Sequence, residues 1–136
     1  MRRSSRSSFA CSSAISASIT DLAGNTGTTQ SLPITVDTTG TAQNNGAGTT
    51  NGGIAHLHVS AYSGLTSDVI TIEHSVNGST SWATLVTFAT VTAVTSEQVV
   101  VAPGTTVRQY LRVVDDVTGT GSVTRAVAFA RLAISP

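Results

Sequence analysis

From residue 53 onward, apolar side chains alternate with polar ones in short runs, at residues 54–62, 69–76, 82–88, 97–102, 107–114 and 122–132. A period of two marks a strand with one face buried, and no window of about eleven residues keeps the 3.6 period of an amphipathic helix. Between the runs stand Ser63-Gly64, Asn77-Gly78, Pro103-Gly104 and Thr118-Gly119-Thr120-Gly121, residue types suited to turn conformations. Short strands punctuated in this way predict an all-β chain without helix. A sandwich or small barrel suits the spacing, with a single β-sandwich of jelly-roll or Ig-like type as the expected fold.

The alternation also assigns faces. Ala55, Leu57, Val59 and Ala61 share one side of their strand, with His56, His58 and Ser60 on the other. In the next run Ile70, Ile72 and His74 stand together, opposed to Thr71, Glu73 and Ser75. Asn77-Gly78 then raises a question of register. A two-residue loop would set Trp82 opposite Glu73 on the polar face. A three-residue loop with Gly78 left-handed sets Ile72 opposite Trp82 and Ile70 opposite Thr84, and gathers Trp82, Val86 and Phe88 with the isoleucines. Burial contributes roughly 1.5 to 3 kcal/mol per large apolar side chain, so the second register is predicted.

Residues 1–48 differ from the rest, being polar, small or glycine apart from apolar patches at 14–19 and 32–36. They read as an extended N-terminal arm with short strands at about 14–20 and 31–37, ahead of a β-sandwich domain at 49–136. Patches so brief do not offset a backbone ordering cost of about 1 to 2 kcal/mol per residue, so the arm needs a surface to dock on.

Composition supports this picture and narrows the partners. The apolar 40% is carried mostly by Val, Ala, Ile and Leu among many Thr, Ser and Gly, a mixture that fits pleated surfaces. Only 10% of the 136 residues are charged, lysine is absent, and seven arginines balance seven carboxylates. Such a balance creates no strong field, so neither nucleic acid nor membrane is expected as a partner. The single cysteine, Cys11, excludes an internal disulfide while leaving one between chains open. The basic start at Arg2, Arg3 and Arg6 lacks the apolar run of a signal peptide, so synthesis in the cytoplasm is expected.

Candidate chemistry is sparse. The stretch His74-Ser75-Val76-Asn77-Gly78-Ser79-Thr80-Ser81-Trp82 gathers a histidine, three serines and the lone tryptophan, but alternation turns Ser75 away from His74, so the stretch reads as a hairpin rather than a nucleophile with its base. His56 and His58 project to one side, as two metal ligands or as exposed positions on a solvated strand, with no third ligand nearby. Asp115-Asp116 alternates faces and reads as a solvated turn. Arg108, Tyr110 and Arg112 share a strand parity, as a patch for carboxylates or rings or as a solvated face; Arg125 and Arg131 complete the cations of the domain. No catalytic, cofactor-binding or metal-ligating set is expected, and no enzyme activity.

The segment Thr50-Asn51-Gly52-Gly53-Ile54-Ala55-His56-Leu57-His58-Val59, then Ile72-Glu73-His74-Ser75 with Asn77-Gly78 and residues 82–88, then Gly104-Thr105-Thr106-Val107-Arg108-Gln109-Tyr110-Leu111-Arg112-Val113 and Phe129-Ala130-Arg131, resembles the C-terminal β-sandwich domain of tailed-bacteriophage major tail and related virion proteins. The likeness spans about residues 48–133. In those proteins the domain usually follows a tube-forming segment, whereas the 48 residues here are shorter and more polar, a departure that leaves open a small stand-alone virion protein, such as a capsid decoration or tail-surface subunit, or a truncated open reading frame. The resemblance implies a virion structural protein made in the host cytoplasm, without cofactor, whose partners are copies of itself and other virion proteins. Similar hairpins occur in carbohydrate-binding and discoidin-like sandwiches, so a carbohydrate-binding β-sandwich module for host-surface glycans is the alternative, and weak glycan contact stays open beside the virion role. That alternative needs exposed rings, and this chain has only Tyr62, Tyr110, Trp82 and three phenylalanines.

Overall fold

A computed structural model describes residues 18–20, 26–28 and 34–132. The described residues are all-β, with no helix. Two strands, β1 (Ser18–Thr20) and β2 (Thr26–Thr28), pair antiparallel. The remaining six form one antiparallel sheet: β3 (Thr38–Thr39), β4 (Gln43–Asn44), β5 (Gly53–Ser75), β6 (Ala83–Thr87), β7 (Thr95–Val101) and β8 (Tyr110–Arg131). Cys11 and the rest of the expected strand at 14–20 lie outside the described residues.

β5 and β8 are 23 and 22 residues long and pair along nearly their whole length, from Gly53 opposite Arg131 to Ser75 opposite Tyr110. β7 covers the first seven residues of the other side of β5 and β6 the last part, while β3 and β4 line the outer side of β8. Ser63-Gly64 and residues 118–121, expected as turns that end strands, are instead corners inside continuous strands. Ser63 pairs with Ser122 and Leu65 with Gly119, with register irregularities between Val59 and Leu65 and between Leu65 and Ser67. The two glycine-bearing segments are register neighbours, so both strands bend together and the ladder is kept. Gly64 and Gly119 take φ of 75° and 98°, and a Cβ on Gly121 would stand 2.0 Å from the Ser63 carbonyl oxygen. Only glycine allows that approach.

The irregularities also switch which positions of β5 face inward. Ala55, Leu57 and Val59 are buried before the corner, and Asp68, Ile70, Ile72 and His74 after it. Both halves join Val86, Phe88, Val91, Val101, Val107, Leu111 and Val123 in one hydrophobic cluster, so the sheet curls about a single core.

The hairpin between β5 and β6 follows neither register considered from the sequence. Ile72 lies opposite Val86 and His74 opposite Ala83, with a bulge between Ile72 and Glu73. Residues 75–82 form a wide loop, and Trp82 is half-buried at its end instead of opposite Ile72 in the core. Asn77 Oδ1 accepts hydrogen bonds from the amides of Ser79 (3.0 Å) and Thr80 (2.9 Å). Ser75 Oγ accepts from the Gly78 amide at 3.2 Å and donates to the Thr80 carbonyl at 2.5 Å. These bonds close the loop from within, which a count of residues around Asn77-Gly78 does not reveal.

Residues 34–49 run along the outer side of β8. Ile34 and Val123 exchange two backbone hydrogen bonds, Thr38 and Thr39 lie opposite Asp115 and Val114, and Thr49 bridges Val107. This part of the expected arm is docked on the chain's own sheet.

Candidate functional site

Odd-numbered positions of β8 face inward through both of its halves, and three of them are charged: Asp115, Arg125 and Arg131. Asp115 is 1% exposed. Arg125 pairs with both of its carboxylate oxygens, through Nε at 2.9 Å and through Nη2, and Thr38 Oγ1 donates to Oδ2 at 2.9 Å. The expectation of a solvated turn at Asp115-Asp116 is therefore corrected for Asp115. Opposite faces do hold, since Asp116 is exposed. The corner tucks Asp115 under Arg125 from the far half of the same strand, which no local pattern encodes.

Beside this pair lies a residue that the sequence reading did not single out. Asp68 is fully buried, and neither of its carboxylate oxygens has a hydrogen-bond partner. Because Ile70 pairs with Asp115 and Asp68 with Val117, the two carboxylates are diagonal neighbours on the inner face. Burial, then the Asp115 charge, pushes the Asp68 pKa up to about 6, with Arg125 pulling the other way and Asp116 and Asp37 adding to the rise. A signal was present: Asp68 shares the parity of Ile70, Ile72 and His74, and a carboxylate on an apolar parity is a polar group asking for a partner.

A second inward polar group closes the opposite end of the core. His74 Nδ1 accepts the Arg108 amide at 3.4 Å, and burial, followed by the charges of Arg108 and Arg131, lowers the His74 pKa. Arg131 crosses to the loop before β8 and donates to the carbonyls of Val107 (2.9 Å) and Arg108 (2.6 Å). Ser75, as expected, is turned into the loop and is not hydrogen-bonded to His74, so the two do not form a nucleophile and base.

The Arg108, Tyr110 and Arg112 row meets the loop at residues 75–82. Arg108 Nη1 donates to the Ser81 carbonyl at 3.0 Å, Gly78 abuts the Tyr110 ring, and Arg112 lies 4.1 Å from the Trp82 ring centre while pairing with Glu73 at 2.6 Å. Two features that the sequence offers as separate candidates thus satisfy each other. His56 and His58 stand on the exposed outer face of β5, as expected, and His58 Nδ1 is 2.7 Å from Ser96 Oγ. No group of three or more His, Cys, Asp or Glu residues suited to a metal ion occurs among the described residues. A shallow groove of about 550 Å³ beside the loop is lined by Thr49, Thr50, Asn51, Val76, Arg108 and Gln109, among others.

Together these features define a curled antiparallel sheet in which Asp68, His74 and Asp115 are buried on the inner face and Arg108 and Arg112 engage the loop after β5. Compared with protein-family models, curated proteins and solved structures, the chain matches none.

Proposed function

We propose that this chain is a bacteriophage virion structural protein, a tail or capsid-surface subunit that acts by self-assembly. In this reading the curled sheet is a β-sandwich of jelly-roll or Ig-like type, and residues 1–48 are an arm that makes inter-subunit contacts with copies of the chain and other virion proteins. The observation that supports it most is the way residues 34–49 are held. They add to the outer side of β8 in two-residue strands and single bridges, with mostly exposed side chains. Backbone pairing of this kind is indifferent to which copy supplies the strand, so the same edge suits an arm from a neighbour. The outer side of β7 carries no further strand among the described residues, which leaves a second edge for assembly.

Light scattering on the purified chain, with electron microscopy of the product, tests the proposal. Regular rings, tubes or closed multimers that are lost when residues 1–45 are deleted support it; a monomer at every concentration for the full chain overturns it.

The alternative, a carbohydrate-binding module, draws on one observation: Trp82 is half-buried, at the sheet edge, rather than in the core. One face of its ring is covered by Arg112, and the nearby groove is lined by hydroxyls and amides without an aromatic platform. Glycan-array binding that is lost in Trp82→Ala would favour this reading over assembly.

A further inference from the structure

We propose that Asp68 is a proton-binding site that controls how tightly residues 34–44 hold against β8. The geometry begins with an imbalance. Asp68 and Asp115 are both buried, and one guanidinium, that of Arg125, faces them; it is committed to Asp115 through two hydrogen bonds. With a proton on Asp68 the buried group is neutral overall. Without it, a carboxylate that lacks any hydrogen bond sits beside a second one, an arrangement that proteins avoid because burial strips charge of its solvation.

The proposed outlet for the repulsion is the leading segment. Asp68 cannot retreat with its backbone, because its amide donates to Val91 at 3.0 Å and its carbonyl accepts from Val91 at 2.9 Å, while β8 pairs on its other side. The segment carrying Val91 brings no titratable side chain between Phe88 and Thr95. From β8 the charged groups are Asp115, Asp116 and Arg125, and from the leading segment Asp37, which is among the charges that act on Asp68. Asp37 Oδ1 accepts the Val117 amide at 2.7 Å and Thr38 Oγ1 donates to Asp115, so two side chains of the leading segment fasten it at the β8 residue paired with Asp68 and at the neighbouring carboxylate. Only a few backbone bonds assist them, among them the Gly40 amide to the Val113 carbonyl at 2.7 Å. On this proposal, lifting the segment lets water reach Asp68 and relieves the repulsion with the core intact. The rise of the Asp68 pKa to about 6 places the change in mildly acidic to neutral solution. The segment is therefore held more tightly in acid and less tightly above that range.

Amide hydrogen exchange on the full chain between about pH 5 and pH 8, corrected for intrinsic chemical rates, tests the proposal. Protection at the amides of Ile34 and Gly40 and at Val117 and Val123 should fall by about tenfold or more across that range, while the paired amides of residues 53–59 and 95–101 keep theirs. Asp68→Asn, neutral and similar in size, should remove the pH dependence, and Asp37→Asn should reduce it. Wild-type protection that stays flat, or Asp68→Asn protection that titrates like wild type, overturns the proposal. Should Asp68→Asn fail to fold, the carboxyl-carbon shift of Asp68 in the wild-type chain decides: its midpoint must coincide with that of the protection change, and a separate midpoint overturns the proposal.

Discussion

Asp115 and Arg125 are ten residues apart on one strand and are joined as an ion pair. Ten residues of straight strand span about 33 Å, so the contact exists only because β8 turns back on itself at residues 118–121. The pair fastens the two halves of the curled sheet from inside.

Removing one member of the pair should therefore cost more than removing both. Arg125→Met leaves the Asp115 charge buried and should destabilise the chain by about 3 to 5 kcal/mol. Arg125→Met combined with Asp115→Leu should recover part of that loss. Urea denaturation of the three proteins gives the comparison, and equal or additive losses would show that the ion pair is not buried as described.

The corner gives a second expectation. Gly121→Ala puts a methyl group against backbone at Ser63, 2.0 Å from its carbonyl oxygen, so strands must separate. Gly104 has a φ of 94° with open space around its Cβ position, so Gly104→Ala meets only backbone strain, of about 1 kcal/mol. Gly121→Ala should lower the melting temperature well beyond Gly104→Ala, with a loss on the order of 3 kcal/mol or more. Similar losses for the two would argue against close approach at the corner.

Acid should act on two buried groups in opposite directions. The folded-state pKa of Asp68 is raised from 3.8 to about 6, so its contribution is full below about pH 3.8 and is lost as pH rises through about 6. The rise corresponds to about 3 kcal/mol. His74 has a lowered folded-state pKa, so its contribution is present above its ordinary value of 6.5 and is lost as pH falls. In wild type the two slopes oppose each other where they overlap, below about pH 6. His74→Gln should expose a stability that declines as pH rises through this window, and Asp68→Asn one that climbs. Denaturant midpoints measured at half-unit pH steps would reveal both slopes, and identical profiles in the two variants would contradict them.

Arg112 covers Trp82 and pairs with Glu73, both partly exposed, so its energetic share is small, about 1 kcal/mol or less. The optical effect should be larger. Arg112→Ala should make Trp82 fluorescence more readily quenched by acrylamide, whereas Arg108→Ala, which loses a bond to Ser81, should change it less. Equal quenching in both variants would mean that Arg112 does not shield the ring.

The strands and their faces were legible before any fold was known, because period-two alternation at residues 54–59 and 70–74 is a local property and burial follows it. The exposed His56 and His58 and the inward His74 were correctly placed on that basis. The loop at residues 75–82 was not legible: its width depends on where Ser75 and Asn77 direct their side chains, and on Tyr110 and Arg108 arriving from a distant strand. The parity of Asp68 with Ile70 and Ile72 is legible in the sequence, but that it lacks a partner depends on what is stacked against it.

The amino-acid order by itself determined the all-β character of the described residues, since side-chain alternation and turn-forming glycines are written along the chain. Tertiary structure alone decided that Gly64 and Gly121 bend two strands together instead of ending them, that Arg125 reaches Asp115, and that Asp68 is left without a partner. Those outcomes depend on residues far apart in sequence occupying the same dry volume, where solvation is withdrawn and each charge is weighed against whatever neighbour the fold supplies.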